Sequence, residues 1–163
     1  MKASSLIALV FLTGAAAIRR VDAQLVQQPV QSEVRVDGLF ATNSALHAGL
    51  GLSIPAGIYV RTGLIGAVGG GNHGLESRLD LLGRFSLDPF RQNRWGPYGG
   101  AGISGRFRPA AAGGSHAYLL VYLGLEGPLA VGNRTGWVPA FELGLGGGTR
   151  VGIILRRGVG GRR

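Results

Sequence analysis

Cysteine is absent from the 163 residues, which excludes a disulfide framework and a cysteine-based metal site. After residue 23 the chain also lacks any apolar run long enough for a transmembrane helix, because charges and glycines interrupt every one. A three-residue glycine repeat is missing, which excludes collagen. The chain is not depleted of apolar residues either, since a hydrophobic share of 45% and a mean hydropathy of +0.24 exclude a disordered protein.

Glycine is the residue in excess. The chain contains 31 glycines, nearly a fifth of its residues, where about 7% is usual. A glycine inside a helix costs about 1 kcal/mol relative to alanine, so this composition disfavours a helical bundle. The length fits one domain. A chain that is rich in glycine and apolar residues and free of cysteine is therefore predicted to be all-β.

The first 23 residues have the layout of a secretory signal peptide. Lys2 precedes an apolar stretch at 6–18, and Val21 and Ala23 occupy positions −3 and −1 of a cleavage site. Cleavage there leaves 14 basic and 7 acidic residues, so the formal net charge falls from +9 to +7. We expect an exported protein with a signal peptide at 1–23, a lead-in at 24–32, a barrel at 33–157 and a basic tail at 158–163.

Apolar and polar residues alternate with a period of two in eight segments of the chain. Such a period sends successive side chains of a strand to opposite faces. In the clearest segment, one face carries Leu75, Ser77, Leu79, Leu81, Phe85 and Leu87, and the other carries Glu76, Arg78, Asp80, Leu82, Arg84 and Ser86. Short turn-forming connections imply antiparallel neighbours. We predict an eight-stranded antiparallel up-and-down barrel, because closure leaves no open edge.

The alternation does not by itself show which face meets water. A soluble barrel buries its apolar face, whereas a transmembrane barrel turns that face to lipid and its polar face to the lumen. The export signal favours the transmembrane barrel. So does the polar face, which mixes small residues with charges of both signs. The residues predicted to form this lumen network are Arg35, Asp37, Arg61, Glu76, Arg78, Asp80, Arg84, Arg106, Glu126, Glu142 and Arg150.

Two other features fit a narrow membrane barrel. Glycines on the polar face would make room for arginine side chains, because eight strands enclose only enough space for side chains to fill. The arginines are expected to pair with the carboxylates, since an unpaired buried charge costs several kcal/mol. Trp95, Tyr98 and Trp137 stand at strand beginnings, where aromatic girdles form at membrane interfaces.

The pattern of residues 33–157, with the strand start Trp95-Gly96-Pro97-Tyr98, resembles the small outer-membrane β-barrel families of OmpA, OmpX and OmpW type. The resemblance is one of architecture. It implies residence in the outer membrane of a Gram-negative-type bacterium and insertion by the outer-membrane assembly machinery. The chain departs from these families at its end, where Leu155 is followed by Arg156 and Arg157 rather than by a terminal aromatic residue.

Candidate catalytic and cofactor residues are few. Residues 69–74 match G-x-G-x-x-G, but an alternating strand follows them instead of the helix that a dinucleotide site requires. His47, His73 and His116 are spread over the chain, which is weak support for a metal site. Some eight-stranded barrels are lipid A deacylases with His, Ser and Glu, and Ser115, His116 and Glu126 are the candidates here. Adjacent Ser115 and His116 would point to opposite faces of a strand.

The sequence therefore predicts an outer-membrane barrel with a structural or envelope-maintaining role and a lumen plugged by arginine and carboxylate side chains. We expect no enzymatic activity, no cofactor and no nucleic-acid partner. Outer-membrane lipid and the assembly machinery are the expected contacts. Two alternatives remain open at this point: a membrane-embedded enzyme that modifies lipid A, and a soluble periplasmic β-barrel that binds an apolar ligand.

Overall fold

The structure is a computed structural model that describes residues 30–42, 44–71, 74–90, 94–108, 114–128 and 136–159. The predicted signal peptide, residues 1–23, lies outside the described residues. Within them, no helix is long and apolar enough to cross a membrane. The first strand begins at Val30 and the last ends at Val159.

Eight strands follow one another along the chain. They are β1 (Val30–Phe40), β2 (Ala45–Pro55), β3 (Val60–Gly71), β4 (Gly74–Ser86), β5 (Gly96–Phe107), β6 (His116–Glu126), β7 (Trp137–Leu145) and β8 (Thr149–Val159). Each strand pairs antiparallel with its neighbour in sequence, and β1 pairs antiparallel with β8. The sheet is therefore a closed barrel. This confirms the predicted eight-stranded up-and-down architecture.

The barrel has two ends that differ in their connections. The terminal end holds Val30, Val159 and the connections 56–59, 87–95 and 127–136. The turn end holds the connections 41–44, 72–73, 108–115 and 146–148. In the last of these, Gly147 and Gly148 adopt φ values of +66° and +139°, which side chains other than glycine rarely allow.

The alternation predicted from the sequence appears as two faces of opposite character. On β4, Leu79 and Leu81 are 47% and 57% exposed, whereas Asp80 between them is fully buried. The same holds around the barrel for the exposed side chains Val34, Val36, Leu50, Leu52, Leu64, Val68, Ile103, Leu119, Val121, Leu123, Leu143, Val151 and Ile153. Among strand residues of described burial, Arg157 is the one Asp, Glu, Lys or Arg that is exposed. The barrel thus has an apolar outside and a charged inside.

Candidate functional site: the charged interior of the barrel

The eleven residues predicted for the lumen network all project into the barrel. Ten of them are buried, and Glu126, near the terminal end, is half-buried. They come from seven of the eight strands and lie at several levels along the barrel. The interior consists of four groups of contacts, which are described from the middle of the barrel outward.

Arg35 of β1 joins three carboxylates in the middle of the lumen. Its Nε donates to Oδ2 of Asp37 at 2.9 Å, and its Nη2 donates to Oε1 of Glu142 at 2.7 Å. Its Nη1 reaches Oε1 of Glu33 at 3.2 Å. Because the guanidinium presents five N–H donors in a rigid fork, one arginine can hold several carboxylates together. Arg35 therefore ties β1 to β7 across the interior.

Asp80 of β4 is the second centre of the network. Its Oδ2 accepts from Nε of Arg78 and from Nη1 of Arg150, both at 2.9 Å. Its Oδ1 accepts from the hydroxyl of Ser104 at 2.6 Å, and Nη2 of Arg150 donates to the same hydroxyl at 3.0 Å. Arg78 also contacts Asp37. Asp37 and Asp80 are thus linked through Arg78, and the two centres form one network.

Glu76 is the carboxylate at the centre of the contacts at the turn end of the interior. Nη2 of Arg106 donates to its two oxygens at 2.7 and 2.9 Å, and Nε of half-buried Arg108 donates to Oε2. Nε2 of His47, which is fully buried, lies 2.7 Å from Oε1 of Glu76. One carboxylate therefore faces two guanidinium groups and an imidazole.

At the terminal end of the interior, the contacts centre on Arg156 of β8. It donates to Glu33 and Glu126 at 3.1 Å each and to the hydroxyl of Tyr98 at 3.0 Å. Its guanidinium also lies over the Tyr98 ring, 4.5 Å from the centroid, in a cation–π arrangement. Arg84, in the same region, donates to Gln31 at 2.6 Å. The Tyr98 ring and the carboxylates of Glu33 and Glu126 together stabilise the Arg156 cation.

Sequence reasoning left several members of this interior out of the network. They are Glu33, His47, Ser104, Arg108, Arg156, Tyr98 and Tyr122. Strand parity predicts most of them, since Glu33 lies on the same face of β1 as Arg35, and His47 lies on the polar face of its strand. Arg156 stands six positions from Arg150 and so shares its face. Extending each polar face to and just past the strand ends would have found Glu33, Arg108 and Arg156.

The interior also has an apolar part that the sequence did not predict. Buried side chains from different strands form a cluster of Ile65, Leu82, Tyr98, Leu120, Tyr122, Ala140 and Ile154. The rings of Tyr98 and Tyr122 lie edge to face with their centroids 6.3 Å apart, and the Tyr122 hydroxyl donates to the Gly83 carbonyl. The lumen is therefore filled by charges and by packed apolar groups together.

Inward glycines provide the space for these side chains. A Cβ on Gly152 would lie 2.5 Å from Oδ1 of Asp37, and one on Gly124 would lie 2.2 Å from the Tyr98 ring. A Cβ on Gly100 would lie 2.5 Å from the Tyr122 hydroxyl. From the sequence we predicted that arginine side chains would occupy this space. At these positions it is taken up mainly by tyrosine rings and a carboxylate.

The predicted aromatic girdle needs one correction. Tyr98 is 3% exposed and lies in the lumen, because it shares the inward parity of β5. Trp95 is 44% exposed and packs against Phe141 on the outside, with ring centroids 6.4 Å apart. Tyr59 stacks on Phe85 at 5.7 Å. Exposed aromatic pairs therefore do mark the terminal end of the apolar face.

The candidate catalytic residues are not brought together. His116 begins β6 and Glu126 ends it, and a strand rises about 3.3 Å per residue, so roughly 30 Å separates them. Residues 69–71 end β3 and Gly74 begins β4, so the glycine motif is a hairpin without a following helix. His73 lies outside the described residues. Within the described part of the chain, no cluster of His, Asp or Glu could hold a metal ion.

Comparison with known proteins identifies the architecture. No protein-family model matches the chain, and no curated protein matches it. A solved transmembrane β-barrel from de novo design is 14% identical to it, covers 84% of this chain and 100% of its own, and gives a TM-score of 0.57. The chain has a transmembrane β-barrel fold. The outer membrane protein OprG of Pseudomonas aeruginosa is 9% identical, with coverage of 80% and 92% and a TM-score of 0.50. The predicted resemblance in architecture is confirmed.

The glycine contacts predict a sharp difference between inward and outward positions. Gly152→Ala should lower the free energy of unfolding by about 1–3 kcal/mol, because the added methyl overlaps Asp37. Gly66→Ala is the matched control, since a Cβ there meets nothing within 4 Å. That variant should be neutral or more stable by up to about 1 kcal/mol, because alanine loses less backbone entropy. Denaturant unfolding measures both, and equal destabilisation would contradict the packing described for Gly152.

The Asp80 centre predicts non-additive effects of charge removal. Asp80→Asn or Arg150→Gln alone should cost about 3–5 kcal/mol of unfolding free energy, because each deprives a buried opposite charge of one of its partners. The double variant removes one charge of each sign. It should therefore be less destabilised than the sum of the singles, by about 1–3 kcal/mol. A double-mutant cycle by denaturant unfolding checks this, and additive values would show that the two side chains are not coupled.

Proposed function

We propose that the protein is an outer-membrane β-barrel with a structural, envelope-maintaining role, and that its filled lumen does not conduct large solutes. The distribution of side chains carries this proposal: a charged, hydrogen-bonded interior is enclosed by an exposed apolar outer face. In water each large exposed apolar side chain forgoes about 1.5–3 kcal/mol of burial. Monomeric soluble proteins rarely expose contiguous apolar patches larger than a few hundred Å². Contact with lipid, rather than with water, is therefore the favourable environment for this apolar surface.

The dimensions of the strands support a bilayer location. The strands are 9–13 residues long, and a spanning strand needs about 9–11 residues tilted by about 45°. A strand of about 11 residues tilted by about 40° rises some 28 Å, close to the ~25 Å apolar band of outer-membrane barrels. The exposed pairs Trp95–Phe141 and Tyr59–Phe85 lie where an interface would be.

The filled interior supports the structural role. Network centres at Asp37, Asp80 and Glu76 and the apolar cluster around Tyr122 occupy successive parts of the lumen. A barrel that carries apolar ligands needs an open apolar interior, and this interior is filled by charged side chains and a packed apolar cluster. A lipid-modifying site built from His116 and Glu126 would need the two ends of β6 to meet. The observations favour neither alternative.

An outer-membrane location also accounts for the remaining features of the chain. The signal peptide proposed for residues 1–23 would export it. The outer-membrane assembly machinery would then insert it, and outer-membrane lipid would be its main permanent contact. Arg157, an exposed strand arginine near the terminal end, is placed where a long cationic side chain reaches a headgroup layer.

Cell fractionation tests the location. The full chain, with residues 1–23 intact, should be recovered from a Gram-negative host in the outer-membrane fraction. A barrel of this kind should also migrate on gels as a folded species that heating converts to an unfolded one. Recovery in the soluble periplasmic fraction would contradict the proposal, because it would show that the apolar face tolerates water.

A charge scan along β4 tests the lipid face itself. Leu79→Arg should lower the unfolding free energy in phospholipid bilayers by about 2–4 kcal/mol, because this position lies near the middle of the strand. Leu75→Arg, near the turn end of the same face, should cost only about 0–1 kcal/mol. Both side chains are exposed in the barrel, so water on this face would make both costs small and equal, which is the contradictory outcome.

Planar-bilayer recordings test the closed lumen. The native protein should show no large, stable conductance steps. Removing both inward rings in the double variant Tyr98→Ala/Tyr122→Ala should raise the conductance, because it empties the apolar part of the lumen. Tyr59→Ala on the outer face is the control and should leave the recordings unchanged. Large stable steps in the native protein would show that the interior is not closed.

A further inference from the structure

The exposed Asp, Glu, Lys and Arg side chains of the barrel are of one sign and lie at one end. Among the described residues, no Asp or Glu is exposed, whereas two arginines are, Arg94 and Arg157. Arg94 belongs to the connection 87–95 and Arg157 lies near the end of β8, so both are at the terminal end. The terminal end therefore presents cations to its surroundings, and the described part of the turn end exposes none.

Each exposed arginine stands next to a tryptophan. Arg94 precedes Trp95 in the chain, and Arg157 is the register partner of Trp137 on β7. On its other side Arg157 pairs with Ser32 of β1, so three neighbouring strands carry Ser32, Arg157 and Trp137 in one outward row. Side chains directly opposite on paired strands have Cβ atoms about 4.5–5.5 Å apart. The row brings a guanidinium, a hydroxyl and an indole together, and all three are groups that donate hydrogen bonds.

Arg157 has no counter-ion in the part of the chain that the structure describes. The preceding Arg156 points inward and contacts the carboxylates of Glu33 and Glu126. Arg157 has the opposite parity, so the barrel wall separates it from those carboxylates. A cation beside an apolar, lipid-facing surface is unfavourable unless it meets an anion. The counter-charge for Arg157 therefore has to come from outside the described chain.

The level of Arg157 along the barrel indicates which anion it meets. Leu155, the outward residue before it on β8, is 46% exposed and belongs to the apolar face. Two strand residues advance about 6.6 Å, so Arg157 stands just beyond the apolar band. In a bilayer, the groups next to the acyl chains at this level are the lipid headgroups with their phosphates.

The two ends of the barrel differ in a way that fits phosphate recognition. At the turn end, the exposed aromatic residues among those described are Phe40 and Phe107, which carry no donor. At the terminal end, tryptophans accompany arginines. We propose that the terminal end binds phospholipid headgroups of net negative charge, with Arg157 and Arg94 as the residues that contact the phosphate. A zwitterionic headgroup brings its own cation and is the poorer counter-ion. This inference rests on the bilayer location proposed above.

Fluorescence of the two tryptophans measures lipid contact at this end, because the chain has only Trp95 and Trp137 and both lie there. Lipids with brominated acyl chains quench tryptophan that they touch. The barrel is reconstituted in mixed phosphatidylglycerol and phosphatidylcholine vesicles, with one or the other lipid brominated. We expect phosphatidylglycerol to be bound about fivefold more tightly, the effect of about one arginine at an anionic surface. Equal quenching by both lipids would overturn the headgroup site. No quenching by either lipid would overturn the bilayer location, and the headgroup site with it.

Variants assign the preference to the two arginines. Arg157→Gln should lower the preference for phosphatidylglycerol, and the double variant Arg157→Gln/Arg94→Gln should abolish it. Arg157→Lys should retain it, because the charge remains. Thr149→Gln, at an exposed outward position at the turn end of β8, is the control and should change nothing. Both arginines are exposed, so the variants should fold, and heat-modifiable migration on gels checks this. A full preference in the double variant would show that other residues attract the lipid and would overturn the assignment.

Discussion

The pairing of buried arginines with carboxylates is the interaction on which the rest of this structure depends. Eight strands enclose a lumen that side chains alone can fill. Because the outer face is apolar, the charged side chains of the strands, Arg157 excepted, lie in this lumen. The guanidinium groups therefore meet carboxylates inside the barrel, some on the same or a neighbouring strand and some across the lumen. Arg35 of β1 reaches Glu142 of β7, and Arg150 of β8 reaches Asp80 of β4. These contacts cross-link strands that are not neighbours in the sheet, so they brace the barrel from inside.

The unusual composition follows from this arrangement. Several charged and aromatic side chains fit into so narrow a space because a glycine stands opposite them on the paired strand. Gly152 faces Asp37, and Gly124 faces Tyr98, at distances that a methyl group would not allow. The large glycine content is thus partly a consequence of the filled lumen, and the rest of it belongs to turns such as the one at Gly147 and Gly148. The net positive charge does not come mainly from the interior, because eight inward arginines among the described residues face six carboxylates and so contribute only +2 of the formal +9.

The strand pattern could be read from the sequence because it is local. A period of two assigns each residue to a face, and short connections imply neighbouring hairpins, so the closed barrel and its inward charges were predictable. The carboxylate that each inward arginine contacts could not be predicted in this way. Arg35 and Glu142 stand 107 residues apart, and whether they meet depends on the stagger of the strands, which sequence parity does not give. Tyr98 is a different case, because its parity already placed it inside and only its position at a strand start suggested the interface.

We propose that the apolar face of the barrel meets lipid and that the charged face meets neither lipid nor bulk water. Single cysteines at positions 79, 80, 81 and 82 test it most directly, because the native chain has no cysteine. Each would carry a spin label in the barrel reconstituted in bilayers, and collisions with oxygen and with a water-soluble nickel chelate would be measured. We expect high oxygen and low nickel accessibility at 79 and 81, with low values for both reagents at 80 and 82. High nickel accessibility at 79 and 81 would show that the apolar face lies in water and would contradict a membrane location.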